Sequence, residues 1–409
     1  MDRRLIWQLA FRYLRGKRSA NAVPILSRIS MVAIAVSSAA MIIIFSVFNG
    51  LESLIKDRYK AFYPDVRISV ARGKFFPLTN VSLDSIKHID GVNNVTGVIE
   101  DNVIALSNNQ QIVIVLKGIT NNYFDVNDLR HYIAGDTIVS TGNPYTAIGG
   151  IHILHELAAD INNTFSTIEL YYPNTKITNV ADNPLETYQS LKLHPAGAFM
   201  VSDEFDDKYI LAPLSLAQGL FREPGHYSSI ELSIAPQKLT QIKVALQKIF
   251  GSNYKVEDRY EQNRTTYQVM STEKWVVVAI LVMVLLIASF NMIGALSMLV
   301  LEKQKDIAIL KAMGALPATI RKIFLLEGVL WSLVGGMSGI LLGALICVLQ
   351  QKFGLIKLNG SFMVDAYPVK IQLQDIALVV CIIAAVGLLT SWYPAMRATK
   401  TVDPTLKSA

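Results

Sequence analysis

Residues 275–349 constrain this chain more than any other stretch. Two apolar runs, each long enough to cross a bilayer, stand on either side of a short charged insert. A spanning helix needs roughly 20 predominantly apolar residues, and both runs supply them. The insert, 302–322, is too short to be a domain. It carries Lys303, Lys305, Lys311, Arg321 and Lys322, and its apolar Ile307, Leu310 and Met313 fall at i, i+3 and i+6. That spacing predicts a small helix with one apolar face, fixed between two spans at the water boundary and suited to a rigid contact with another protein.

Composition fits an integral membrane protein with a sizeable water-exposed part. Of 409 residues, 52% are hydrophobic and 17% charged, against about 25% charged in a typical soluble domain. The net charge of +6 is unevenly spread. Residues 51–274 hold 20 Lys and Arg against 25 Asp and Glu, a net of −5, and the remainder holds 18 basic and 7 acidic residues, a net of +11. Basic residues beside apolar runs report membrane orientation. Nucleic-acid binding wants a basic face on a soluble domain, so membrane lipid is an expected partner and nucleic acid is not.

Residues 1–28 place Leu5, Ile6, Leu9, Ala10, Tyr13 and Leu14 on one stripe among Arg3, Arg4, Arg12, Arg15, Lys17 and Arg18. This predicts a basic amphipathic helix lying in the headgroup layer. The apolar run 29–50 is longer than a signal-peptide core and ends in Phe48-Asn49-Gly50, with no small-residue cleavage site, so it reads as a retained first span. Positive-inside logic then puts 51–274 outside, with spans at 275–301, 323–349 and 376–396. The insert 302–322 and the tail 397–409 fall in the cytoplasm, and 350–375 forms an external loop. All three internal segments are net basic.

The external segment reads as an α+β domain. Alternation at Val66, Ile68 and Val70 marks a strand; Leu83, Ile86 and Ile89 mark a short helix; residues 95–106 and 112–116 read as two more strands. The order recurs at Ile230, Leu232 and Ile234, with a helix opened by Pro236 and a strand from Tyr254. A β-α-β subdomain split between 51–118 and 223–274 is therefore expected around a mostly β insertion at 119–222. Inside that insertion, 172–194 is polar and aperiodic, an exposed excursion or hairpin arm.

No catalytic or metal chemistry is legible. His152, His155 and Glu156 lack a third ligand in any zinc-protease order. The acidic group Asp203, Glu204, Asp206 and Asp207 lacks the spacing and glycine of a calcium loop and reads as a solvated turn. Cys347 and Cys381 lie inside apolar runs, so no disulfide staples the external domain. Within the membrane, Gly335, Gly339 and Gly343 recur every four residues and predict close helix packing, and Asn291 predicts a polar contact between helices. Glu327, one turn into the third span, either reaches Arg321 or Lys322 at the interface or serves within the bundle.

Several stretches carry a family resemblance: AFRYLRGKR, ISMVAIAVSSAAMIIIFSVFNGLE, GVNNVTGVIEDNVIAL, IASFNMIGALSMLVLEKQKDIAILKAMGA and YPAMRATKTVDP. They resemble the FtsX/MacB-type permeases and, within that group, the LolC/LolE permeases of the lipoprotein-releasing ABC transporter. The resemblance implies a four-span membrane all-α bundle carrying a large external α+β domain in the bacterial inner membrane, with both termini cytoplasmic. It implies a partner permease, identical or paralogous, and two copies of a cytoplasmic LolD-like ATPase. ATP and magnesium would sit on that ATPase, with no cofactor on this chain, which would not itself be an enzyme. Glu302, Lys303, Lys305, Asp306, Ile307, Leu310, Lys311 and Gly314 occupy the coupling-helix positions that would dock on it. Lipoprotein would be the substrate and a LolA-like periplasmic carrier the acceptor. The stretch with Tyr172, Pro184 and His194 occupies the place of the carrier-binding hook, without the hook's Pro-Met-Gly pattern. The rival readings are an FtsX-like relay controlling an external partner and a MacB-like efflux permease.

Overall fold

A computed structural model describes residues 23–78, 83–135, 145–173, 188–357 and 366–400. The expected N-terminal amphipathic helix and the tail beyond residue 400 lie outside the described residues. The chain divides into two compact units: Ile55–Tyr267, and Met1–Leu54 together with Gln268–Ala409.

Helix α1 covers Val23–Phe62. The helix runs on past the predicted span 29–50. Glu52, Lys56, Asp57, Arg58 and Lys60 are soluble but helix-compatible, and nothing breaks the helix before Pro64. Gly50 answers a packing need instead, since a Cβ there would lie 2.2 Å from the Pro368 carbonyl oxygen.

In the unit Ile55–Tyr267, β1 (Val66–Val70), β2 (Phe76–Pro77), α2 (Leu83–Lys87), β3 (Val92–Ser107) and β4 (Gln110–Ile119) come first. Next are α3 (Tyr123–Val126), β5 (Ile133–Gly135), β6 (Thr146–Gly150), α4 (Ile151–Glu156), β7 (Ile168–Pro173) and β8 (Tyr188–Phe199). Then follow α5 (Asp203–Asp206), β9 (Tyr209–Pro213), α6 (Leu214–Phe221), β10 (His226–Tyr227), β11 (Ser229–Ile234), α7 (Leu239–Phe250), β12 (Tyr254–Asp258) and α8 (Arg259–Gln262).

The sheet runs β12-β1-β11-β3-β4-β9-β6-β8-β5, and β7 bridges β8 back to β3. Among the described residues, β3, β4, β9, β6, β8 and β7 therefore close into a ring of six strands. Alternate side chains fill it: Ile99, Val103 and Ala105 of β3, Ile114 and Leu116 of β4, Ile168 and Leu170 of β7, Ile210 and Ala212 of β9. This corrects the expected boundary at residue 118. The first half of β3 pairs with β11, its second half with β4 and β7, and β4 pairs with β9. One long strand thus serves both subdomains, and β4 belongs to the inserted ring.

A buried charge cluster pins these strands in register. Lys117 of β4 reaches Glu231 of β11 at 2.7 Å and Glu100 of β3 at 3.8 Å, while Arg67 of β1 pairs with Glu100. The Lys117 ammonium also sits 5.1 Å over the Phe62 ring and 5.0 Å over Tyr123. Burial works to raise the Glu100 carboxyl, but Arg67 and Lys117 outweigh it and hold Glu100 below its ordinary value. For Lys117 burial pulls down, and Glu231 with Glu100 outweighs it and holds the ammonium above its ordinary value. Removing one partner from such a buried set costs about 3–5 kcal/mol, because the other charge is stranded.

The second unit adds α9 (Arg264–Glu302), α10 (Gln304–Ala312), α11 (Pro317–Phe353) and α12 (Leu373–Lys400). Among the described residues, four helices, α1 included, are long and apolar enough to cross a membrane. Each is longer than its predicted span, because apolar length measures the span and helix propensity measures the helix. Their common core joins Ile34, Met41 and Phe45 of α1, Leu285 and Met292 of α9, Trp331 and Ile340 of α11, and Ile383 of α12.

Candidate functional site

Helix α9 ends at Glu302, α10 begins at Gln304, and Lys303 between them takes a turn-like conformation with φ −90°. The far end of α10 closes as a Schellman motif: Ala315 N–H donates to Leu310 O at 3.0 Å and Gly314 N–H to Lys311 O at 2.9 Å. Gly314 has φ +82°, which a residue bearing a Cβ resists. Pro317 then occupies the first turn of α11, where its missing N–H costs nothing.

The predicted stripe of Ile307, Leu310 and Met313 is divided by the fold. Ile307 is 1% exposed and packs with Leu299, Ile320, Phe324 and Ala395, so it anchors the segment. Leu310 is half-buried. The apolar surface left outward consists of Ile309 (57% exposed), Met313 (70%) and Leu316 (69%). Ile309 and Leu316 were not singled out from the sequence; the signal was Ile309 standing opposite Ile307, an apolar residue on each face of a nine-residue helix. Glu302 and Lys305 are exposed, Lys303 pairs with Asp306 at 3.3 Å, and Lys311 Nζ lies 3.5 Å from the Thr399 carbonyl. The arrangement can present a small apolar patch edged by charge and hold it by a buried anchor.

Gly335, Gly339 and Gly343 all face α1. A Cβ at Gly339 would stand 2.1 Å from Ala35 O, one at Gly335 2.9 Å from Met31 O, and one at Gly343 2.8 Å from Ala39 O. Ser38 Oγ donates to Gly336 O at 3.1 Å across the same contact. Asn291 is different: its side chain faces away from its own bundle. Glu327 is fully buried, and Arg321 lies over the Trp392 ring. A polar knot that sequence reasoning missed joins three helices. Asn49 Nδ2 donates to Asp375, and Lys274 Nζ donates to Asn49 Oδ1 at 3.1 Å while standing 3.6 Å from Asp375. Each member lies near one end of an apolar run, where the sequence alone offers no pairing rule.

In the other unit, the stretch 172–194 is no aperiodic loop at its ends. Tyr172 belongs to β7 opposite Gln189 of β8, and His194 lies within β8. Tyr172 is buried, its hydroxyl donating to Asp101 at 2.8 Å, and Lys74 donates to the same carboxylate. His194 Nδ1 lies 3.1 Å from Ser166 O. Both residues therefore secure the root of a hairpin, while Pro184 lies outside the described residues. His152 sits 2.6 Å from Asp207 in an ion-pair geometry.

Residues 278–402 match the FtsX-like permease C-terminal family, and residues 27–249 match the MacB-like periplasmic core domain. Over 96% of both chains, this one is 24% identical to the lipoprotein-releasing system transmembrane protein LolC of Neisseria meningitidis. It is 23% identical, again over 96% of both, to the corresponding LolE of Haemophilus influenzae. The periplasmic region of MacB from Actinobacillus actinomycetemcomitans aligns over 53% of this chain and 98% of its own, at 13% identity and a TM-score of 0.37. A MacB-like core domain joined to an FtsX-like helical half defines an ABC transporter permease of the FtsX and MacB type, a membrane protein. The chain belongs to the family of proteins that carry the MacB-like periplasmic core domain, and over nearly its whole length it is similar to the permeases LolC and LolE.

Proposed function

We propose that this chain is the permease subunit of a transporter that lifts lipoproteins out of the outer leaflet of the bacterial inner membrane and hands them to a periplasmic carrier. A separate cytoplasmic ATPase supplies the work. Drawing acyl chains from a bilayer costs about 0.8 kcal/mol per CH₂, so the process needs a motor. The observation that carries the reading is α10: a charge-edged helix presenting Ile309 and Met313, anchored through Ile307 at the junction of two spanning-length helices. Docking of the ATPase on that patch would move α9 and α11 together. The sequence relatives, whose names describe a lipoprotein-releasing system, support lipoprotein as cargo. Termini and α10 in the cytoplasm, and the unit Ile55–Tyr267 in the periplasm, follow from the charge distribution.

The test is release of a fluorescent triacylated lipoprotein from proteoliposomes holding this chain, its ATPase and the carrier. ATP-dependent transfer to the carrier is expected. Correct lipoprotein placement in cells depleted of the chain would contradict the proposal.

A further inference from the structure

The basic residues where α10 gives way to α11 differ in what they meet. Lys303 pairs with Asp306, and Lys311 Nζ lies 3.5 Å from the Thr399 carbonyl. Arg321 and Lys322, in the second turn of α11, meet no acid: among the described residues no carboxylate stands within ion-pair distance of either. Arg321 instead lies over the Trp392 ring of α12, 5.8 Å from its centroid, and Lys322 is exposed.

These residues stand at an edge. Ile320, Ile323 and Phe324 turn inward, and from residue 323 to 349 the chain carries one charged side chain, Glu327, which is fully buried. Arg321 and Lys322 are thus the last cations before an apolar run of spanning length. Helices α11 and α12 pack side by side, with Gly328 against Ser391 and Gly336 against Ile383. Residues that precede Trp392 in α12 therefore lie deeper along that run. Leu388 and Leu389, about one turn deeper, are 51% and 69% exposed, and Trp392 itself is 52% exposed. The outward surface passes from cation to indole to leucine.

We propose that Arg321, Lys322 and Trp392 hold the headgroup of an anionic phospholipid, its acyl chains lying along Leu388 and Leu389. A guanidinium at the edge of hydrocarbon with no acid beside it is costly, and a lipid phosphate supplies the missing counter-charge. Stacking on the indole orients the guanidinium plane, whose paired N–H groups match two phosphate oxygens. Indole itself favours the interface, where one edge meets headgroups and the other meets chains. Charge complementarity selects the lipid class, because phosphatidylcholine brings its own cation toward two fixed positive charges. Inorganic phosphate offers the same oxygens but nothing to cover the leucines. The inference rests on reading α11 and α12 as membrane-spanning and is independent of what the chain transports.

Native mass spectrometry of the full chain, released from detergent with dioleoyl phosphatidylglycerol or dioleoyl phosphatidylcholine added, reads the lipid retained. The wild type should keep phosphatidylglycerol roughly fivefold better than phosphatidylcholine, the effect of one basic residue near an anionic headgroup. Arg321→Gln should remove the preference, Arg321→Lys should keep part of it, and Lys305→Gln on α10 should leave it whole. Equal retention of the two lipids, or an undiminished preference in Arg321→Gln, would overturn the proposal. Displacement of the lipid by inorganic phosphate would make this a free-anion site and overturn the lipid assignment. A second measurement leaves Arg321 in place. With Trp7, Trp275 and Trp331 replaced by phenylalanine, Trp392 fluorescence in mixed vesicles should be quenched more by phosphatidylglycerol brominated on its chains than by phosphatidylcholine brominated likewise. Equal quenching at equal content would contradict the site. Neither readout uses ATPase or lipoprotein, so selective lipid binding by a chain that releases no lipoprotein would remove the transport reading and leave this inference standing.

Discussion

Asp206 has both carboxylate oxygens on the Val201 N–H, at 2.9 and 3.1 Å, and is buried at the foot of the inserted ring. Burial pushes its pKa up to about 6, against the pull of those amide bonds and of His152. Between its ordinary value near 4 and 6, the folded chain holds a proton that the unfolded chain releases. Stability therefore falls as pH rises through this window. Thermal unfolding of the purified chain at pH 4.5 and pH 7 should show a smaller drop for Asp206→Asn than for wild type; an equal drop would mean Asp206 does not titrate there. The sequence reads the whole acidic group as solvated, because four acids in five residues dominate the local pattern. Which one turns inward is set by Val201 and Gly150, and a Cβ at Gly150 would lie 2.1 Å from Asp206 O.

Helix α10 separates what periodicity can and cannot reveal. Its existence, its end at Gly314 and the restart at Pro317 are legible, since an apolar spacing, a left-handed glycine and a first-turn proline each have one physical meaning. Which apolar face docks inward is not legible, because it depends on Ile320, Phe324 and Ala395, which come from elsewhere in the chain. The same limit applies to the ring of strands. Individual strands follow from alternation, whereas closure through β7 onto β3 is a long-range pairing with no local signature. For α10 the consequence is testable: Met313→Glu and Ile309→Glu should abolish co-purification of the ATPase while the chain still inserts. Wild-type recovery with both substitutions would place the docking surface elsewhere.

At the scale of the whole molecule, charge asymmetry and apolar length lead to the expectation of a membrane half and a water-exposed half, and the chain divides into two compact units. Helices α1 and α9 extend beyond their apolar runs, to Phe62 and from Arg264, so the apolar stretch that hydropathy detects is shorter than the helix that carries it. The coupling proposal requires the exposed patch on α10 to lie on the side where ATP is available. Labelling of Met313→Cys, with Cys347 and Cys381 replaced by alanine, by a membrane-impermeant maleimide in spheroplasts tests this most directly. Protection until the membrane is permeabilised, followed by rapid labelling that bound ATPase blocks, is the predicted result. Rapid labelling of intact spheroplasts would put α10 outside, beyond reach of any cytoplasmic motor.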